Sequence, residues 1–206
     1  MQRSMGTDEE LTALGASEIV HADLGEAGAV ADAVIGCRAI YYICPNMTEN
    51  ERCYGENVIA AARSAGVERL LFHSVLHTQV QALQHHWNRL FVEEAIVESG
   101  VPFSILQVGS YYQNMLPGWS KMVETGIHAM AYNVDVPMSL VDLEDVSAAV
   151  RETSPPGLYD TDPECHGSPP ASASSTFSIA PEEKWLSLSE VTKRASAAKD
   201  ILHGFK

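Results

Sequence analysis

Basic residues are scarce in this sequence. Its 206 residues include 13 lysines and arginines against 27 aspartates and glutamates, which leaves a formal net charge of −14. Such a chain repels a phosphate backbone, so we expect it to bind no nucleic acid.

Long hydrophobic runs and paired cysteines are also missing. No apolar run approaches the roughly 18–20 residues of a membrane span, and the N-terminal segment MQRSMGTDEELTALG lacks the apolar stretch of a secretory signal. We therefore expect a cytoplasmic protein without a membrane partner. Cys37, Cys44, Cys53 and Cys165 form no CxxC pair, which predicts free thiols.

Motifs for two common kinds of active site are absent as well. His73, His77, His85 and His86 lie close in sequence but have no matching cysteine pair, so we predict no metal site. No GxSxG turn occurs, which argues against a serine hydrolase.

What the sequence does contain is an alternation of apolar strands and helices. Near-continuous apolar strands that alternate with helices are typical of a parallel sheet covered on both faces. The sequence therefore predicts an α/β fold with a doubly wound sheet. The predicted strands are 17–24, 39–44, 67–75, 101–109 and 176–180, and the predicted helices are 7–14, 26–36, 48–66, 82–100, 140–152 and 187–201.

The chain divides into three parts on composition. Residues 1–152 carry the alternating pattern and form the predicted core. Residues 153–175 are rich in proline, serine and glycine, which is typical of a linker or loop. Residues 176–206 hold one predicted strand and one helix, which is too little to form a core alone.

One long stretch resembles a known family. HHWNRLFVEEAIVESGVPFSILQVGSYYQNM (85–115) is similar to the NmrA-like family of atypical short-chain dehydrogenases, as are HADLGEAGAVADAVIGCRAIYYICP (21–45) and LVDLEDVSAAV (140–150). The resemblance covers most of residues 8–152. It implies a Rossmann-like sheet, NADP or NAD as cofactor and a small-molecule substrate.

The sequence departs from the family pattern at its start. Family members open with a strand, a GxxGxxG turn and a helix, and this sequence contains no such turn; Gly25 and Gly28 are the nearest pair. The resemblance therefore predicts a sheet that is incomplete at its N-terminal side by a βαβ unit of about 30 residues. It also predicts a small, reduced C-terminal lobe.

The candidates for catalysis are His85, Ser74 and Tyr112. His85 and Arg89 are four residues apart and share a helix face, where short-chain dehydrogenases carry a Tyr-x-x-x-Lys pair. The resemblance makes His85 an acid or base and leaves Arg89 as a ligand-binding residue, since guanidinium stays charged. Alternatively both are solvated, with Arg89 paired to Glu93. The resemblance also makes Ser74 and Tyr112 catalytic candidates.

The resemblance also assigns cofactor contacts. Ligands of such sheets bind beyond the carboxyl ends of the strands, and most of these positions follow predicted strands. The implied contacts are Asp23 and Leu24 at the adenine, Pro45 and Asn46 beside the ribose, and Ser74, Arg89 and Asn114 nearer the nicotinamide.

Three functions remain open from the sequence. The first is an NAD(P)-dependent oxidoreductase or isomerase. The second is a non-catalytic NAD(P) sensor that binds a regulatory protein partner. The third is a reduced scaffold, for example a homodimer that covers an unpaired sheet edge.

Overall fold

The computed structural model describes residues 6–128, 135, 138–158 and 175–179. The helices are α1 (Gly6–Ala13), α2 (Ala27–Ala33), α3 (Glu51–Ala65), α4 (Gln84–Glu98), α5 (Trp119–Thr125) and α6 (Leu143–Thr153). The strands are β1 (Ala39–Ile43), β2 (Arg69–Val75), β3 (Phe103–Val108), β4 (Ser110–Tyr111), β5 (Leu140–Val141) and β6 (Ser175–Ile179). A 3₁₀ helix, Tyr112–Gly118, leads into α5.

Among the described residues, the main sheet has four parallel strands in the order β1-β2-β3-β6. In its register Tyr42 lies opposite Phe72, and Phe72 lies opposite Ile105. Helices α3 and α4 connect β1 to β2 and β2 to β3, as parallel neighbours require. The predicted α/β fold with a parallel sheet is therefore confirmed.

Helices cover both faces of β2 and β3, which explains why these strands are largely apolar. On one face Phe72 and Ile105 pack with residues of α2, α3 and α4, such as Ile96. On the other face Leu71 and Leu106 pack with residues of α6. Successive side chains of a strand point to opposite faces, so neighbouring residues in β2 serve different cores.

Two glycines shape helix α3. Gly66 ends the helix in the left-handed conformation, at φ +62°, which a glycine adopts without strain. Gly55 lies where α3 meets α4, and a Cβ there would come within 2.8 Å of the Val92 side chain. The missing side chain therefore allows the two helices to approach closely.

The first predicted strand is wrong. Residues 17–24 form no strand in the described structure, and Val20 is 53% exposed. In the described sheet β1 is an edge strand that pairs with β2 alone, so residues 17–24 do not join it. None of the side chains in this segment is fully buried, and the segment is a loop that leads into α2.

Other predicted elements agree to within a few residues. Helix α2 ends at Ala33, earlier than predicted, because residues 34–36 form a turn in which Gly36 has φ +78°. The predicted strand 176–180 is found as β6. The predicted helix 187–201 and most of the 153–175 linker lie outside the described residues. In the part of the chain that is described, no helix combines the length and hydrophobicity of a bilayer span.

Candidate active site

The candidate site lies at the carboxyl edge of the main sheet. Strands β1, β2 and β3 end side by side there, at Ile43, Val75 and Val108. Helices α3 and α4 begin close to this edge, because each follows a short loop from the strand before it. Ligands of open parallel sheets bind in this position, and the polar side chains found there are buried to an unusual degree.

Glu51 and Arg89 form a buried ion pair at this edge. Glu51, in the first turn of α3, is 0% exposed, and Arg89, in α4, is 4% exposed. Arg89 also donates to two backbone carbonyls, from Nη1 to His73 at 2.7 Å and from Nη2 to Cys44 at 3.3 Å. One guanidinium therefore ties α3 and α4 to the ends of β1 and β2.

Burial determines the electrostatics of the Glu51–Arg89 pair. Burial raises the pKa of the Glu51 carboxyl, and the positive charge of Arg89 opposes that rise. The guanidinium also lies over the Phe72 ring, 5.5 Å from its centroid. The predicted solvated face and Arg89–Glu93 pair are wrong, because Arg89 turns toward the sheet and meets Glu51.

His85 belongs to the same cluster. Its Nδ1 lies 3.4 Å from Oε2 of Glu51, and its side chain is 15% exposed. Burial lowers the pKa of His85, and the charge of Arg89 lowers it further. Glu51 thus brings the two predicted residues His85 and Arg89 together, with His85 at the solvent side of the pair.

Ser74 belongs to a second buried cluster. Its hydroxyl donates to Oε1 of Glu93 in α4. Thr78 donates to Oε2 of the same carboxylate at 3.2 Å, and the Gln107 amide lies 3.0 Å from both oxygens. Ser74 itself is 0% exposed, so its hydroxyl points to Glu93 and not into the open crevice.

The predicted adenine contacts lie on the loop before α2. Asp23 is exposed, and its Oδ1 accepts from the Gly25 N–H at 2.8 Å. The Leu24 carbonyl accepts from the Asn57 amide of α3 at 2.8 Å. This loop is therefore anchored to α3, with the Asp23 carboxylate at the surface.

The remaining predicted residues differ in accessibility. Pro45 is half-buried and Asn46 is exposed, both directly after β1. Tyr112 is buried at the start of the 3₁₀ helix, and Asn114 is exposed on it. Asn46 and Asn114 thus present amide groups to solvent near the carboxyl edge.

A third polar group was not predicted. His73 lies between two tyrosines, with its Nδ1 bonded to the Tyr41 hydroxyl and its Nε2 to the Tyr111 hydroxyl. Burial lowers the pKa of His73 to about 4, with a further contribution from Arg89. We call these three residues the Tyr-His-Tyr row; it lies on the α6 face of the sheet, opposite the Ser74 cluster.

Comparison with known proteins gives the same fold and a lineage. The sequence profile of the NmrA-like family matches residues 4–154. Quinone oxidoreductase 2 of Escherichia coli (strain K12) is 26% identical over 136 residues, which are 66% of this chain and 48% of that protein. The chain therefore spans about half the length of this curated relative.

Solved structures agree. The crystal structure of the Escherichia coli NADPH-dependent quinone oxidoreductase QOR2 complexed with NADPH has a TM-score of 0.52 at 27% identity, covering 60% of this chain and 44% of that one. Triphenylmethane reductase of Citrobacter sp. has a TM-score of 0.62 at 21% identity, covering 74% and 54%, and shares the fold. Because the family profile matches well over half of the sequence, the chain belongs to the NmrA-like family.

Proposed function

We propose that this chain acts as an NAD(P)-dependent oxidoreductase that reduces a small quinone-like substrate. The observation that supports this most is the 26% identity to a quinone oxidoreductase over 136 residues, together with the family match. A relative of that lineage was crystallised with NADPH. The carboxyl edge of the sheet, with its His85–Glu51–Arg89 cluster, is where such a cofactor would bind.

The described residues suit parts of a dinucleotide cofactor. Exposed polar groups stand at Asp23 and Asn46 for the adenosine end, and at Asn114 for the nicotinamide end. The sequence has no GxxGxxG turn, so the residues assigned here serve the two ends of the cofactor rather than its phosphates. When bound, the cofactor would supply a hydride to the substrate.

In this proposal His85 handles the proton that must accompany the hydride. Its Nδ1 faces Glu51, which leaves Nε2 as the nitrogen that can exchange a proton with substrate or water. Arg89 is closed to solvent and bonded to two carbonyls, so its role is to position Glu51 and the strand ends. Ser74 is likewise a positioning residue, and it acts through its bond to Glu93.

A titration with NADPH tests the proposal. Trp87 lies on α4 close to His85, and its fluorescence should change saturably on binding. NADPH consumption with a soluble quinone then measures turnover. His85→Gln should lower kcat at least tenfold and leave NADPH binding intact, whereas His86→Gln on the same helix should not lower kcat. Binding without turnover would favour the NAD(P)-sensing alternative, and no saturable binding at millimolar NADPH or NADH would refute both.

A further inference from the structure

A pocket on the α6 face of the sheet lies on the opposite side of the sheet from the His85–Glu51–Arg89 cluster. It has a volume of about 450 Å³ and is lined by Tyr41, Ile43, His73, Tyr111, Leu143, Val146, Ser147, Val150 and Arg151. This volume is within the range of small-molecule pockets, which combine apolar walls with a few fixed polar groups. Here the walls are aliphatic side chains from β1 and α6, and the polar groups belong to the Tyr-His-Tyr row.

The row has one proton more than its internal bonds use. Two tyrosine hydroxyls and one neutral imidazole carry three N–H and O–H protons, and two of these serve the bonds between His73 and its two neighbours. When Tyr41 donates to Nδ1, the Nε2–H of His73 donates to Tyr111. The hydroxyl proton of Tyr111 is then not needed within the row, and this residue lines the pocket.

The Tyr-His-Tyr row at the pocket carries no charge, since burial disfavours the protonated form of His73. Arg151 also lines the pocket, and this residue is exposed to solvent. A neutral ligand with one hydrogen-bond acceptor matches the uncharged row and the aliphatic walls, against which a carboxylate or phosphate would lose water.

We propose that this pocket binds a neutral aromatic carbonyl compound, with Tyr111 donating to the carbonyl oxygen and the ring packed between β1 and α6. A ligand that accepts a hydrogen bond from Tyr111 sets the direction of both hydrogen bonds in the row. It does so because it favours the His73 tautomer that carries the proton on Nε2. This site is separate from the proposed cofactor site, since it lies on the opposite face of β2 from Ser74 and Glu93.

A pair of ligands of equal shape tests the hydrogen bond. Acetylnaphthalene has a carbonyl oxygen, and isopropenylnaphthalene carries a CH2 group in place of that oxygen on the same planar carbon. In titrations followed by protein NMR, we expect acetylnaphthalene to bind the full chain five- to tenfold more tightly, which is the effect of about one hydrogen bond. Tyr111→Phe should abolish this preference, while Tyr54→Phe, on the other face of the sheet, should preserve it.

A second variant tests the location. Ser147 is exposed on α6 and lines the pocket, so Ser147→Phe should block both ligands without disturbing the core. Equal affinity for the two ligands in the unmodified chain, a preference that survives Tyr111→Phe, or binding that survives Ser147→Phe would each overturn the proposal. Absence of binding by acetylnaphthalene would overturn it as well.

Discussion

The carboxylate of Glu51 faces the guanidinium of Arg89 in an ion pair that joins α3 to α4 and is closed to solvent. Removing two charges from water is costly, and the pair persists only where further bonds compensate. Here the Cys44 and His73 carbonyls supply them. The pair therefore holds the ends of two strands and the starts of two helices in one arrangement, and His85 is positioned by it.

Glu51→Gln should lower the free energy of unfolding by about 3 kcal/mol, because it leaves the Arg89 charge buried without its partner. Urea denaturation measures the loss. The exposed pair Arg52–Glu56 serves as a control, since Glu56→Gln should cost less than about 1 kcal/mol. A double variant, Glu51→Gln with Arg89→Met, should be more stable than the sum of the single effects. Strict additivity would show that the two side chains are not coupled.

Ser74→Ala should destabilise the chain by about 1–2 kcal/mol, because Glu93 loses one of its buried donors and keeps Thr78 and Gln107. Ser147→Ala is the matched control, as its hydroxyl is exposed and bonds to a carbonyl of its own helix. The comparison is made by thermal unfolding. Equal effects of the two variants would mean that the Ser74 bond to Glu93 contributes nothing.

The sequence predicted β2 and β3 well because these strands are buried on both faces and are therefore largely apolar. The predicted helix 140–152 is found as α6, which begins after Asp142, whose carboxylate accepts from the Glu144 N–H. The failures have physical causes. Residues 17–24 have strand-like composition, but in the described structure they do not pair with the edge strand β1. The alternative that paired Arg89 with Glu93 is wrong, because spacing along one helix does not reveal a carboxylate on another helix.

The residues of the candidate site likewise divide into those that the sequence predicted and those that it missed. His85, Arg89 and Ser74 were predicted from spacing and resemblance, and their roles remain predictions. Glu51 and the Tyr-His-Tyr row were missed, because both depend on contacts between distant elements. One signal was available: His73 and Ser74 are adjacent in a strand, so they must face opposite sides of the sheet. That rule alone predicts two separate polar groups at this point.

Stability should fall as the pH falls from about 6.5 to about 4, and His73 should cause part of that fall. Its folded pKa is about 4 against an ordinary value of 6.5. In this window the unfolded chain binds a proton that the folded chain rejects, so the free energy of unfolding decreases as the pH falls. The contribution of His73 to the free energy of unfolding is fully present above pH 6.5. At the acid limit this contribution is lost, and the loss amounts to about 3 kcal/mol.

Comparing the pH dependence of His73→Gln with that of the unmodified chain isolates this component from the many acidic groups. The variant should lack the extra loss between pH 6.5 and 4, whereas His77→Gln, at an exposed position, should keep it. Parallel curves for the His73 variant and the unmodified chain would show that His73 is protonated without penalty.

Gly55→Ala tests whether the close approach of α3 and α4 sets the geometry of the site. Alanine is favoured over glycine in a helix by about 1 kcal/mol, but the added Cβ would meet Val92 at 2.8 Å. Overpacking of this kind costs about 1–3 kcal/mol, so we expect a net loss of stability and a weaker Glu51–Arg89 coupling.

Gly28→Ala is the matched control, because α2 leaves that position open, and it should stabilise the chain. Val92→Ala added to Gly55→Ala should restore the Glu51–Arg89 coupling measured by the double-variant cycle. If Gly55→Ala stabilises the chain as much as Gly28→Ala does, contact with Val92 does not limit the approach of the helices.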